Sequence, residues 1–215
     1  MIVRQVPKRK ADSPPALPSL LAHPQVLNRL HPVSVEKYHE LIAAGALTTA
    51  DRVELIEGYL IDMAPIGPPH SCSVGKANRL FARVLPDGWH VRQQQPVTFL
   101  RSEPEPDLCL VRGEVEDYSA RHPVAKDVGL LIEVAESTLA YDRDVKSRVY
   151  ADARVRQYWI VNLIDRQLEV FQQPRATRGQ PAIYRKRETL GEEERFKLEL
   201  DGKQLGVFRV SHLLP

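Results

Sequence analysis

The seven residues Val128-Gly-Leu-Leu-Ile-Glu-Val134 constrain this chain more than any other segment, because they are nearly continuous in apolar character. An alternating strand has one wet face. A run apolar on both faces reads as a central strand covered on each side, which calls for an α/β architecture with layers above and below a sheet. Into that segment the chain inserts Glu133. A lone carboxylate in such a place costs several kcal/mol, on the order of the desolvation penalty of a charged group. A cation, a metal ion or a proton must compensate it; a strand-end glutamate paired with an arginine would satisfy the same requirement.

The rest of the chain supplies the layers. Ser34 can cap a helix from Val35 to Ala44 that Gly45 ends. Arg52–Met63 carries β-branched and aromatic residues on either side of Glu57-Gly58 and reads as a hairpin. From Pro69 to Leu85, Val74, Ala77, Leu80, Phe81 and Val84 follow helical spacing, and Pro86-Asp87-Gly88 ends the helix. Strands are predicted at Trp89–Arg92, Gln94–Leu100, Asp107–Val111, Gln157–Asn162 and Gln167–Gln172. A helix is predicted from Asp142 to Ala153. After Gln172 the remainder, through Gly191 and Gly202, reads as short strands and a loop, and a brief segment near Val210–Leu214 closes the chain. Residues 1–30 are interrupted by Pro7, Pro14, Pro15, Pro18 and Pro24, so they read as a flexible arm before a single domain, residues 31–215.

Composition excludes some functions. With 215 residues, 43% hydrophobic and 27% charged, the chain is ordinary for a globular domain. Its net charge of +2 rules out a polycationic nucleic-acid coat, although a local basic surface stays open. The two cysteines, Cys72 and Cys109, provide neither a disulfide framework nor a zinc site by themselves. No apolar stretch is long enough to span a membrane, and no signal-peptide core is evident, so a cytoplasmic setting is expected.

Three residue types could act together. In Glu105-Pro106-Asp107, the proline can open a strand without losing a ladder bond, which places Asp107 at the first position of a strand. Pro-Asp is also a common turn dipeptide. If that strand pairs with the one bearing Glu133, the two acids converge, and two hard oxygen donors with water suit Mg²⁺. Lys146, Tyr150 and Ala153 share one helical stripe at i, i+4 and i+7, from which the lysine could reach the sheet edge or snorkel into solvent. Two acids, a divalent ion and a lysine make a coherent phosphodiesterase without a covalent nucleophile.

From Arg52 to Gln173 the chain resembles the Uma-two family of restriction endonucleases, a branch of the PD-(D/E)xK nuclease superfamily. The matching segments are Arg52-Val-Glu-Leu-Ile-Glu-Gly, Met63-Ala-Pro-Ile-Gly-Pro-Pro-His70, Gln95-Pro-Val and Glu105-Pro-Asp107-Leu. They continue through Ile132-Glu-Val-Ala-Glu-Ser-Thr-Leu-Ala-Tyr-Asp142, Lys146, Tyr150-Ala151 and Tyr158-Trp-Ile-Val161. The resemblance implies a restriction-endonuclease-like core, with a mixed central sheet, flanking helices and an N-terminal hairpin extension. It makes Asp107 the motif aspartate and Glu133 the second metal-binding acid. Ala135 stands where the superfamily's lysine is usual, so Lys146 on the following helix carries that role.

The activity so implied is Mg²⁺-dependent endonucleolytic hydrolysis of DNA, with Mn²⁺ as a substitute. His70 is a candidate proton shuttle or phosphate contact, or else a capping histidine. Glu54 is a candidate outer metal ligand, or the partner of a basic side chain. A homodimer would place two sites on a duplex. A non-catalytic nucleic-acid-binding or interaction module on the same fold, and a hydrolase of small phosphodiesters, remain as alternatives. One departure stands out: Arg154-Val-Arg-Gln157 replaces a glycine-containing turn, which costs about 1 kcal/mol if a left-handed residue is required there. Arg143, Arg148, Arg154 and Arg156 then form either a backbone-contacting patch or a solvated face.

Overall fold

The computed structural model describes residues 24–27 and 29–215. Two compact units are distinguished, residues 1–32 and 33–215. In the first, α1 (Pro24–Leu27) is a single helical turn. The proline-rich arm expected over residues 1–30 lies largely outside the described residues.

The second unit opens with α2 (Val35–Ala43), capped by the Ser34 hydroxyl, which accepts from the Lys37 N–H at 3.2 Å. Gly45 follows it at φ +70, the left-handed conformation a glycine supplies without strain. β1 (Val53–Ile56) and β2 (Tyr59–Asp62) form the expected hairpin. Its two central residues, Glu57 and Gly58, have φ of +50 and +90, as a twist-matched two-residue turn requires.

A six-stranded sheet carries the fold, in the order β3-β4-β5-β6-β7-β8. Its strands are β3 (Trp89–Gln93), β4 (Leu108–Arg112), β5 (Val128–Ala135), β6 (Gln157–Asn162), β7 (Gln167–Thr177) and β8 (Gln180–Gly191). β5 and β6 are parallel, and all other neighbours are antiparallel, so the sheet is mixed. The parallel pair needs a crossover, as parallel strands must. Three helical pieces supply it: α4 (Leu139–Tyr141), a wider π-type turn at Asp142–Lys146, and α5 (Ser147–Asp152).

β5 is buried along almost its whole length, as its apolar run dictates. On one face Leu130, Ile132 and Val134 pack with Phe81 of α3 (Pro68–Val84) and with Phe196 and Leu198 of the hairpin β9 (Arg195–Leu200)–β10 (Lys203–Arg209). On the other, Leu131 and Ala135 pack with Val149 and Tyr150 of α5, and with Ile56, Val97 and Phe99.

Three expectations are corrected. Gln94–Leu100 is not a sheet strand. Pro96 lacks a ladder donor, and the segment folds back on itself, Val97 donating to Pro104 O at 3.0 Å and Phe99 to Ser102 O at 2.8 Å. β7 runs five residues beyond Gln172 because β8, unforeseen as a long strand, pairs with it out to Thr177 and Gln180. The helix after β5 begins at Leu139 rather than Asp142, and its π-type turn breaks regular 3.6-residue spacing at Lys146. Among the described residues, no helix is long and apolar enough to cross a membrane.

Candidate active site at the ends of β4 and β5

The register of β4 against β5 pairs Leu108 with Ile132, so the next step along the ladder sets Asp107 opposite Glu133. The two strand ends are laced together through these acids. The Val134 N–H donates to Asp107 Oδ2 at 2.8 Å, and the Asp107 N–H donates to Glu133 Oε2 at 3.3 Å. Glu133 lies between Leu131 and Ala135 on the face that α5 covers, so it meets that layer instead of solvent.

The crossover answers the buried charge. Lys146 Nζ donates to Glu133 Oε1 at 3.0 Å and lies 3.3 Å from Glu54 Oε2. Tyr150, one turn on, donates its hydroxyl to the same Glu133 oxygen at 2.6 Å. The expected stripe therefore holds for Lys146 and Tyr150, and the lysine is buried, not snorkelling. Glu54 reaches the site from β1, where the Glu105 N–H donates to it at 3.2 Å. His70, in the first turn of α3, donates from Nε2 to Asp107 Oδ2 at 3.0 Å. All five sequence-predicted residues thus meet in one place.

Others were not foreseen in this role. Asp142, at the start of the π-type turn, is buried and accepts from the Thr138 hydroxyl at 2.6 Å. Gln94 points its amide at Asp107 Oδ1 from 3.4 Å. Glu105 and Tyr141 line the same cleft, which has a volume of about 310 Å³. Spacing of four residues on either side of Lys146 could have singled out both Tyr150 and Asp142. No periodicity marks Gln94, which arrives through the fold.

Electrostatics follow from burial. Desolvation pushes the Glu133 carboxyl up to about 8, helped by Asp107 and Asp142 and opposed by Lys146. Burial likewise raises Asp142 to about 6 against the pull of Lys146. For Lys146, burial disfavours the charge, but Glu133, Glu54 and Asp142 outweigh it and hold the ammonium protonated. The same contest at His70 is decided by Asp107, and its imidazole is raised.

The donor set suits a hard divalent ion. One oxygen of each acid is held: Glu133 Oε1 by Lys146 and Tyr150, Asp107 Oδ2 by Val134 and His70. The other oxygens have only long contacts, 3.3 Å at Glu133 Oε2 and 3.4 Å at Asp107 Oδ1, and keep lone pairs for a ligand. Among the described residues no group of three His, Cys, Asp or Glu side chains is arranged to hold a metal by itself. Two carboxylates completed by water match Mg²⁺, which retains much of its hydration. Glu54, Asp62, Glu105, Glu136 and Asp142 also line the cleft, against Arg52 and Lys146 as cations, so a phosphodiester would be repelled there unless a cation bridged it.

Of the expected arginine patch, one side chain is engaged elsewhere and a second residue sits at a helix end. Arg143 turns inward onto Glu169, whose carboxylate is fully buried in β7 and also meets Arg187 at 2.6 Å. Arg154 closes the α5 end at φ +60: its N–H donates to Ala151 O and that of Val155 to Tyr150 O. Glu169 carried no sequence signal, since a glutamate between apolar strand residues normally faces water.

The six-stranded mixed sheet with its flanking helices is a restriction-endonuclease-like fold. The structure is similar to the crystal structure of a "putative nuclease belonging to DUF820" from Anabaena variabilis, at a TM-score of 0.60 and 13% identity, covering 85% of this chain and 97% of that one. At that identity the likeness bears on the fold alone. The chain belongs to the Uma2 family, described as "Putative restriction endonuclease", which matches residues 35–206. No curated protein matches it.

Proposed function

We propose that this protein is a divalent-metal-dependent endonuclease that hydrolyses phosphodiester bonds in DNA. Asp107 and Glu133 hold the ion, Mg²⁺ or Mn²⁺ in its place, and Lys146 stabilises the reacting phosphate. One observation supports this above the others: two carboxylates from adjacent strand ends each keep an oxygen free, beside an ammonium that stays charged. A bound divalent ion would polarise a phosphoryl oxygen and lower the pKa of a water.

The chain's own residues prepare that chemistry. Lys146 and Tyr150 fix Glu133 in one rotamer, and His70 and the Val134 N–H fix Asp107. Of its three ammonium protons Lys146 directs one to Glu133 and faces Glu54 at 3.3 Å, which leaves a third for a phosphate oxygen as negative charge builds. His70 acts as a positioning residue here, because its Nε2 is engaged with Asp107. Glu54 keeps Lys146 charged and in place. A homodimer, which would bring two sites to a duplex, belongs to the same proposal and is checked by sedimentation.

The test is incubation of the purified protein with plasmid and with single-stranded DNA in Mg²⁺, Mn²⁺ or EDTA. Cleavage should appear with metal, vanish with EDTA, and be absent in Asp107→Ala and Lys146→Ala. Binding without cleavage in every metal would overturn the reading and leave a non-catalytic module.

A further inference from the structure

Among the described residues, seven non-glycine positions have positive φ. Glu57, Arg166 and Asp201 lie in strand-connecting turns, Arg154 ends a helix, and Gln173 lies within the long β7–β8 ribbon. Arg52 (φ +47) directly precedes β1 and Gln94 (φ +49) directly follows β3, and both line the acid-lined cleft and also a second recess of about 340 Å³. The two cavities adjoin, with Arg52, Met63, Ile66, Gln94 and Glu105 as walls of both. The second is lined in part by the apolar side chains of Ile42, Leu47 and Ile66, and Ile42 and Ile66 are exposed.

A left-handed conformation is disfavoured for a side chain such as arginine, and strain of this kind concentrates at ligand-binding positions. Arg52 is exposed and takes part in no ion pair among the described residues, whereas Lys146, the cleft's other cation, is held by Glu133 and Glu54. A free guanidinium at the mouth of an acidic cleft, next to a partly apolar recess, matches the two halves of a nucleotide: a phosphate and a base.

We propose that the second recess is a subsite for an unpaired nucleotide flanking the cut bond, with Arg52 on its phosphate and its base against Ile42, Leu47 and Ile66. This rests on the nuclease reading above and narrows the substrate. A base inside a duplex is covered by its stacking neighbours, so only an unpaired or everted one can enter such a recess at low cost. Single-stranded or bulged DNA is therefore the preferred class.

The test is steady-state cleavage of a labelled single strand, the same strand in a duplex, and a duplex with one bulged nucleotide, in Mg²⁺ or Mn²⁺, by wild type, Arg52→Gly and Ile66→Ser. Wild type should cut the single strand and the bulged duplex about tenfold faster than the continuous duplex, an order of magnitude set by the cost of unstacking a base. Arg52→Gly should relax the backbone and melt no lower than wild type, yet raise KM about tenfold with kcat little changed, and flatten the salt dependence by roughly one phosphate contact. Ile66→Ser should raise KM without altering the salt slope.

An unchanged KM and salt slope in Arg52→Gly, or equal rates on all three substrates, would overturn the subsite and leave the nuclease reading standing. No cleavage of any DNA by wild type would overturn both.

Discussion

Lys146 and Glu133 meet at 3.0 Å, Nζ to Oε1, with both side chains buried, one on a π-type turn and the other in the middle of the central sheet. Glu133 depends on Lys146 for its charge, and Lys146 is stabilised by Glu133 together with Glu54. An isolated buried carboxylate or ammonium loses its hydration and gains nothing in return.

That coupling predicts non-additive losses. Lys146→Met leaves Glu133 uncompensated and should cost about 3–5 kcal/mol of folding stability. Adding Glu133→Gln removes the stranded charge, so the double variant should recover a large part of the loss. Urea denaturation of both singles and the double checks this. Additive losses would show that the pair does not compensate as argued.

Metal binding should appear in stability as well as in activity. A ligand that binds only the folded state stabilises it by about 2.7 kcal/mol at 100 times its Kd. For a chain of this size that raises Tm by roughly 5–10 °C, at 2–4 °C per kcal/mol. Titration with Mn²⁺ should shift the wild-type melt in this way and leave Asp107→Asn, which loses one carboxylate, nearly unmoved. Equal shifts in both proteins would remove Asp107 from the metal site.

Glu169 sets a pH dependence. Burial alone would raise it, but the hydrogen bond from Arg143 and the charges of Arg187 and Arg143 prevail and lower its carboxyl below the usual value. A depressed folded pKa contributes stability above the unfolded value, about 4.3, and loses it as pH falls through the folded value. Glu169→Gln should therefore destabilise by about 3 kcal/mol at pH 7, because two arginines lose their buried partner. The gap from wild type should shrink progressively below about pH 4, the unfolded range. A pH-independent gap, measured by denaturation across pH 3–7, would contradict this origin.

At the end of α5, Arg154 occupies a left-handed position at φ +60 that glycine fills without strain. Arg154→Gly should stabilise the fold by about 1 kcal/mol. Its contact with Ala176 O is a long 3.4 Å at an exposed site, so little opposes the gain. A lower Tm in the variant would show that the arginine contributes something beyond this geometry.

How much of the site was legible differs by residue. Asp107 and Glu133 could be found from their own segments, because a proline opens one strand and an apolar run encloses the other acid. Lys146 needed more: helical spacing put it on a stripe with Tyr150, but only the π-type turn shows how the stripe meets Glu133. Asp142 stands four residues before Lys146 on the same stripe, though its burial has no local mark. Glu169 gave no local sign: it sits among ordinary neighbours and meets Arg143 across 26 residues.

The amino-acid order by itself determined the elements: a two-sided central strand, a capped helix, a Glu57-Gly58 hairpin and a strand just after Pro106, which begins at Leu108, one residue past the expected Asp107. These depend on near neighbours, through side-chain periodicity, capping and turn preferences, which a linear reading can follow. Only the tertiary structure decided where the β7–β8 ribbon extends, that residues 94–100 fold back instead of joining the sheet, and which carboxylates face one another. Those outcomes depend on pairings between distant segments, whose hydrogen bonds and burial have no counterpart in local sequence.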